Sequence, residues 1–124
     1  DWNKYRDSYR TIFCDIDGVI VESACNYLKP YLGSTDALKD NVDALNELHT
    51  TGRVALIMTT ARAEKYRQVT IDQLERAGLV YDKLIMGLPH ARRTVINDFA
   101  ASNIYPSCTA INLHRDTETL REFL

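Results

Sequence analysis

The chain has 124 residues, of which 45% are hydrophobic and 26% charged, and a formal net charge of -2. That balance excludes a basic field for nucleic acid or anionic membrane, and no apolar run approaches the roughly 18 residues of a membrane span. The expectation is one α/β domain over residues 1–124, cytoplasmic, without a signal peptide, burying about two-thirds of the surface of its unfolded chain.

The first residue is Asp1 and not Met, so the sequence is read as processed, trimmed or cut from a longer protein. Residues 1–10 form a polar lead-in with Trp2, Tyr5 and Tyr9, aromatics expected to pack on the domain. Thr11-Ile12-Phe13-Cys14 is a short, β-prone apolar run that ends at Asp15, the pattern of a buried strand. Residues 22–40 are irregular. From Asn41 to Thr51, Val42, Leu45 and Leu48 recur at helical spacing, and Gly52 follows as a stop.

Val54 to Met58 reads as a second buried strand, ending at Thr59-Thr60. A helix is predicted from Ala63 to Ala77, with Gly78 behind it. Three further strands are expected, at Lys83–Met86, Thr94–Ile96 and Cys108–Leu113. Asp116 is placed to N-cap a closing helix through Leu124. Strands alternate with helices, and no tight hairpin signal joins two strands, so the sheet is expected to be mainly parallel with helices on its faces. Cys14, Cys25 and Cys108 have no metal-ligand spacing and read as buried thiols in a reducing compartment.

Ligands of open parallel sheets bind beyond the carboxyl ends of the strands. Three predicted strands end there in Asp15-Ile16-Asp17-Gly18, Thr59-Thr60-Ala61-Arg62 and Asn97-Asp98. Carboxylates from separate strands suit a hard cation such as Mg²⁺. With that charge neutralised, a carboxylate can attack phosphorus and form an aspartyl phosphate. Two residues further along an extended chain, a second Asp lies on the same side and can move the proton. Gly18 allows a sharp turn behind the pair.

Phe13-Cys14-Asp15-Ile16-Asp17-Gly18-Val19-Ile20 resembles the first motif of the haloacid dehalogenase superfamily phosphatases. Ile57-Met58-Thr59-Thr60-Ala61-Arg62 resembles the second, and Val95-Ile96-Asn97-Asp98 the fourth. Leu79 to Gly87 resembles the lead-in to the third. The resemblance spans the chain from about Thr11 onward. It implies a three-layer, Rossmann-like α/β fold with helices on both faces, and a magnesium-dependent phosphatase.

In that reading Asp15 is nucleophile and metal ligand. Asp17 is general acid and base, and gives its backbone carbonyl to Mg²⁺. Thr60, or else Thr59, holds the phosphoryl group, and Asp98 completes the metal site. Gly18, Ala61, Arg62 and Arg92 join the substrate-binding set. Leu88 stands where related capless phosphatases carry lysine, so Arg93, Arg92 or Lys83 is expected to supply that cation. His90 beside them is read as neutral to function.

An inserted cap domain needs at least ~50 residues, and only about 20 separate Ile20 from Asn41. The expected site is therefore capless and open, with Tyr27, Lys29, Tyr31 and Arg62 as candidate lining residues and a second subunit as a possible lid. The resemblance suggests a phosphorylated sugar as substrate. The alternative is a domain that keeps the fold and binds phosphate or metal without turnover, motivated by Leu88 and by Asn97, where the motif often has a second acid. Dehalogenation has no use for Asp17 and Asp98, and a phosphomutase needs a cap that excludes water.

Overall fold

The computed structural model describes residues 9–23, 36–102 and 107–124. Trp2, Tyr5, Cys25, Tyr27, Lys29 and Tyr31 lie outside the described residues. The described elements are strand β1 (Arg10–Asp15), helix α1 (Lys39–Thr50), strand β2 (Val54–Thr59), helix α2 (Arg67–Ala77) and strand β3 (Lys83–Ile85). Single 3₁₀ turns occupy Glu64–Tyr66 and Leu120–Phe123. No helix among the described residues is long and apolar enough to cross a membrane.

The three strands form one parallel sheet in the order β1-β2-β3. Each parallel step needs a crossover, and α1 and α2 supply the two, the βαβ arrangement of Rossmann-like α/β folds. Strand side chains alternate between faces, and the register separates them. Ile12 and Cys14 lie opposite Leu56 and Met58, and Met58 lies opposite Leu84. This row packs with Val42 and Leu45 of α1 and Leu74 and Ala77 of α2 in one apolar cluster. The other face carries Phe13 and Ile85, both exposed. Both crossovers step the same way across the sheet, and right-handed connections put both helices on one face.

The helix ends follow their sequence signals. Gly52 and Gly78 take positive φ of 74° and 78° behind the two helices, a conformation that costs glycine little. Asn46 of α1 ties the helices together. Its Nδ2 donates to the Gly78 carbonyl at 2.8 Å, and its Oδ1 accepts the Val80 N–H at 2.9 Å. Asp82 fixes the approach to β3 by accepting the Leu56 N–H at 2.8 Å. That bond, helped by His49, holds its carboxyl below the usual carboxylate range.

Five expectations are corrected. Thr94–Ile96 and Cys108–Leu113 are not strands, and Val95, Ile96 and Ile111 are exposed. Apolar β-prone character describes a fit to a half-buried sheet and does not by itself recruit a pairing edge. Here side chains take main-chain groups instead. Ser107 Oγ donates to the Asp98 carbonyl at 2.5 Å, Asn97 Nδ2 donates to the Ser107 carbonyl at 3.4 Å, and the Asp98 N–H donates to Asn97 Oδ1 at 3.2 Å.

Residues 116–124 hold one 3₁₀ turn and no capped α-helix. Asp116 adopts φ 61° and its carboxylate accepts the Ser23 N–H at 2.6 Å, so it is spent on a turn. The helix expected from Ala63 starts as a 3₁₀ turn and becomes α-helical at Arg67. Cys108 is exposed, whereas Cys14 is buried and its thiol is pushed up to about 12, first by burial and then by Asp15.

Asn41, fully buried on α1, joins three parts of the chain. Its Nδ2 donates to the carbonyls of Val19 and Thr117, both at 2.8 Å, and its Oδ1 accepts the Leu120 N–H at 3.2 Å. An alanine there leaves three main-chain groups without partners, each worth about 1 kcal/mol or more. Asn41→Ala is expected to lower stability by about 2–4 kcal/mol in urea unfolding. Asn41→Asp is expected to cost at least as much at neutral pH, because a carboxylate cannot donate to two carbonyls.

Candidate active site

β1 and β2 end side by side, with Asp15 paired to Thr59 and Thr59 to Ile85 of β3. Past Asp15 the chain folds tightly around one carbonyl. The N–H groups of Val19, Ile20 and Val21 all lie within 3.3 Å of the Ile16 oxygen. Ile16 and Ile20 are fully buried, which anchors this turn in the core while Asp15, Asp17, Gly18 and Val19 line a cavity. Gly18 takes φ 86° there, as the turn requires. A side chain at Gly18 would also meet Arg115, since a Cβ would sit 3.2 Å from its Cγ.

The cavity has a volume of about 450 Å³, within the range of small-molecule sites. Thr60 and Ala61 line it from the end of β2, His90, Ala91 and Arg93 from the segment after β3, and Leu113 and Arg115 from the last segment. The Asp116 N–H donates to the Gly18 carbonyl at 2.9 Å, which docks the Arg115 turn against the loop after β1.

Asp15 is half-buried. Burial raises its carboxyl above the ordinary aspartate value. The Ile16 N–H, the Arg93 charge and the Arg62 charge oppose that rise, and Asp17 adds to it. Arg93 is thus the cation of the cavity with the largest pull on Asp15. Among the described residues, neither Arg93 nor Arg115 makes a side-chain hydrogen bond or ion pair. Both guanidinium groups remain available to an anion.

Asp17 is answered differently. Arg62 grips both of its oxygens, with Nε 3.1 Å from Oδ2 and Nη2 2.8 Å from Oδ1. The Arg62 side chain is 1% exposed and that of Asp17 4%. The third guanidinium nitrogen, Nη1, donates to Thr70 Oγ1 of α2 at 3.1 Å.

Asp15, Asp17, Gly18, Thr60, Ala61 and Arg93 meet at the cavity as the sequence suggests. Five other candidates lie elsewhere. Arg62 lines no open site, because its charge is spent inside on Asp17. Thr59 lies outside the lining, and its hydroxyl donates to the Cys14 carbonyl at 3.3 Å. Arg92 and Lys83 are exposed away from the cavity.

Asp98 is also exposed and does not line the cavity, because the strand that should deliver it is not formed. Among the described residues no three His, Cys, Asp or Glu side chains are grouped to hold a metal ion. The three-acid magnesium set is therefore not assembled. Leu88 contributes main chain only, its N–H donating to the Thr60 carbonyl at 3.2 Å.

Arg115, Thr70 and the cavity position of His90 escaped sequence reasoning. Thr70 carries a weak signal, a hydroxyl on the buried stripe of α2. Arg115 carries none, since it reaches the cavity through one long-range main-chain bond.

Asp15 titrates above its unfolded value, so its charge stabilises the unfolded chain relative to the folded one once pH rises through the folded value. Asp15→Asn is therefore expected to raise the melting temperature at pH 7, with the gain vanishing in acid below the unfolded aspartate value. Thermal melts of both proteins across pH check it. Equal melting at pH 7 would mean that Asp15 is better solvated than the cavity suggests.

No family model matches the chain, and no curated protein matches it. The crystal structure of a target protein from Vibrio cholerae is similar to it in fold, with a TM-score of 0.55 and 16% sequence identity. The match covers 70% of this chain and 79% of that one.

Proposed function

We propose that the chain is a phosphatase of the haloacid dehalogenase type, which hydrolyses a small phosphomonoester such as a sugar phosphate through Asp15. The observation that carries the reading is one cavity holding a half-buried aspartate, two unpaired arginines and the Thr60 hydroxyl. The parallel sheet, with the site beyond its carboxyl edge, supports the same reading. A three-layer fold belongs to this proposal.

In the reaction, Arg93 and Arg115 bind phosphoryl oxygens and draw charge off phosphorus. Asp15 attacks phosphorus, the ester P–O bond breaks, and the leaving oxygen takes the proton of the Asp17 carboxyl, which enters the step protonated. Water then attacks the aspartyl phosphate and gives a proton back to Asp17, which restores the Asp15 carboxylate and releases phosphate. Thr60 donates its hydroxyl to a phosphoryl oxygen. Its Oγ1 already accepts the Arg62 N–H at 3.1 Å, which orients it.

The donors that remain for magnesium are Asp15, the Asp17 main-chain carbonyl, the phosphoryl oxygens of the substrate and water. That is a small set, but Mg²⁺ is commonly held by one or two carboxylates together with substrate phosphate. When bound, the ion neutralises charge between Asp15 and the phosphate. With Asp98 outside the cavity, weak magnesium binding without phosphate is the expectation.

The test is phosphate release from a panel of sugar phosphates and an aryl phosphate, with Mg²⁺ and with excess chelator. Turnover is expected to need magnesium and to fall at least about 10³-fold in Asp15→Asn. Arg93→Ala and Arg115→Ala are each expected to lower kcat/KM about 10²-fold. The acid limb of the pH profile is expected above the ordinary aspartate value, because attack needs the carboxylate and burial raises Asp15. Turnover unaffected by Asp15→Asn sinks the reading.

A second reading has one observation behind it: Arg62 occupies both oxygens of Asp17. In that reading the domain binds phosphate and does not turn it over. Calorimetric binding of inorganic phosphate without hydrolysis of any panel member would favour it.

A further inference from the structure

Arg62 is the largest fully buried side chain among the described residues, and it is charged. Taking a guanidinium and a carboxylate out of water is costly, and an apolar pair of similar size is often no less stable. The pair is also built from every side. The Arg62 N–H donates to Thr60 Oγ1 at 3.1 Å, its carbonyl accepts the Gly87 N–H at 2.8 Å, and Thr70 on α2 holds the remaining guanidinium nitrogen. Arg62 thus spans the ends of β2 and β3, the buried face of α2, and the loop after β1.

The geometry points to Arg62 as a positioning residue, which with Thr70 behind it sets the orientation of the Asp17 carboxyl, so that the proton it carries goes to the leaving oxygen and is regained from the attacking water. This rests on the phosphatase reading above. A bidentate fork fixes the plane of the carboxylate as well as its position. With one lone pair of each oxygen turned to Arg62, the remaining lone pairs are those a proton can use, and Asp17 lines the cavity. Loss of the fork leaves the carboxylate free to rotate. That matters for a leaving group that must be protonated and little for one that leaves as a stable anion. Arg62 and Thr70 therefore govern which esters are hydrolysed. The array favours alkyl esters, such as phosphorylated sugars, over esters that need no acid.

The experiment compares a hexose phosphate with nitrophenyl phosphate in the wild type, Arg62→Lys and Thr70→Val. Lysine keeps the charge and lacks the fork. Valine keeps the shape of Thr70 and removes only the acceptor for Nη1, so the fold survives if Arg62→Lys does not. The ratio of hexose to nitrophenyl turnover is expected to fall about 10²-fold in Arg62→Lys and about tenfold in Thr70→Val. Nitrophenyl turnover is expected to change less than tenfold in both.

A parallel fall on both esters would reduce Arg62 to a structural part and overturn the inference, leaving the phosphatase reading intact. A wild type that hydrolyses neither ester overturns the phosphatase reading, and this inference with it.

Discussion

Two carboxylates two residues apart, at and just past the end of a strand, repel each other and lose solvent together. The site is arranged around how that charge is answered. Asp17 receives the stronger answer, a bidentate guanidinium with its own hydrogen-bond support, and is nearly sealed from water. Asp15 receives a weaker one. Arg93 acts on it through space, the Ile16 N–H donates to it, and burial still wins. The two acids therefore differ in chemistry although they share a motif. One is held, and the other is half-buried with its charged form disfavoured. Such a separation between paired carboxylates is the usual basis for distinct acid–base and nucleophilic roles.

That arrangement depends on a scaffold far from the chemistry. The loop after β1 turns around the Ile16 carbonyl, and its outer side leans on Asn41 and on the Asp116 turn. Asn41 is an amide at a helical position that otherwise reads as ordinary, and it satisfies three main-chain groups from separate segments. A buried amide used this way fixes one arrangement of the backbone, because any other leaves polar groups unpaired. The loop that presents Asp15 is thus set by α1 and the last segment as much as by its own sequence.

The legible part of the molecule was the part governed by local rules. Apolar runs of β-prone residues, with glycines behind helical repeats, located β1, β2, β3 and both helices to within a few residues. The ends of β1 and β2 correctly brought Asp15, Asp17 and Thr60 to one edge. The same logic failed at Val95-Ile96 and at Cys108 to Leu113, which have the same apolar character. Strand formation needs a partner edge, and no local pattern reports whether one is available. Arg62 was misread for a related reason. An arginine after a strand end looks like a surface ligand until a buried carboxylate is found within reach of its fork. Sequence spacing gives no view of a contact between residues 45 positions apart.

The anionic and cationic halves of the cavity therefore have different structural origins. Asp15, Asp17 and Thr60 come from strand ends, whose positions are fixed by the sheet register. Arg93 and Arg115 come from segments without regular secondary structure. In the proposed reaction, phosphate binding rests on the second set and nucleophilic attack on the first. Neither arginine takes part in the ladder between β1 and β2. In the proposed reaction, this puts the segments without regular secondary structure on the side that binds phosphate, and the strand ends on the side that must align with phosphorus.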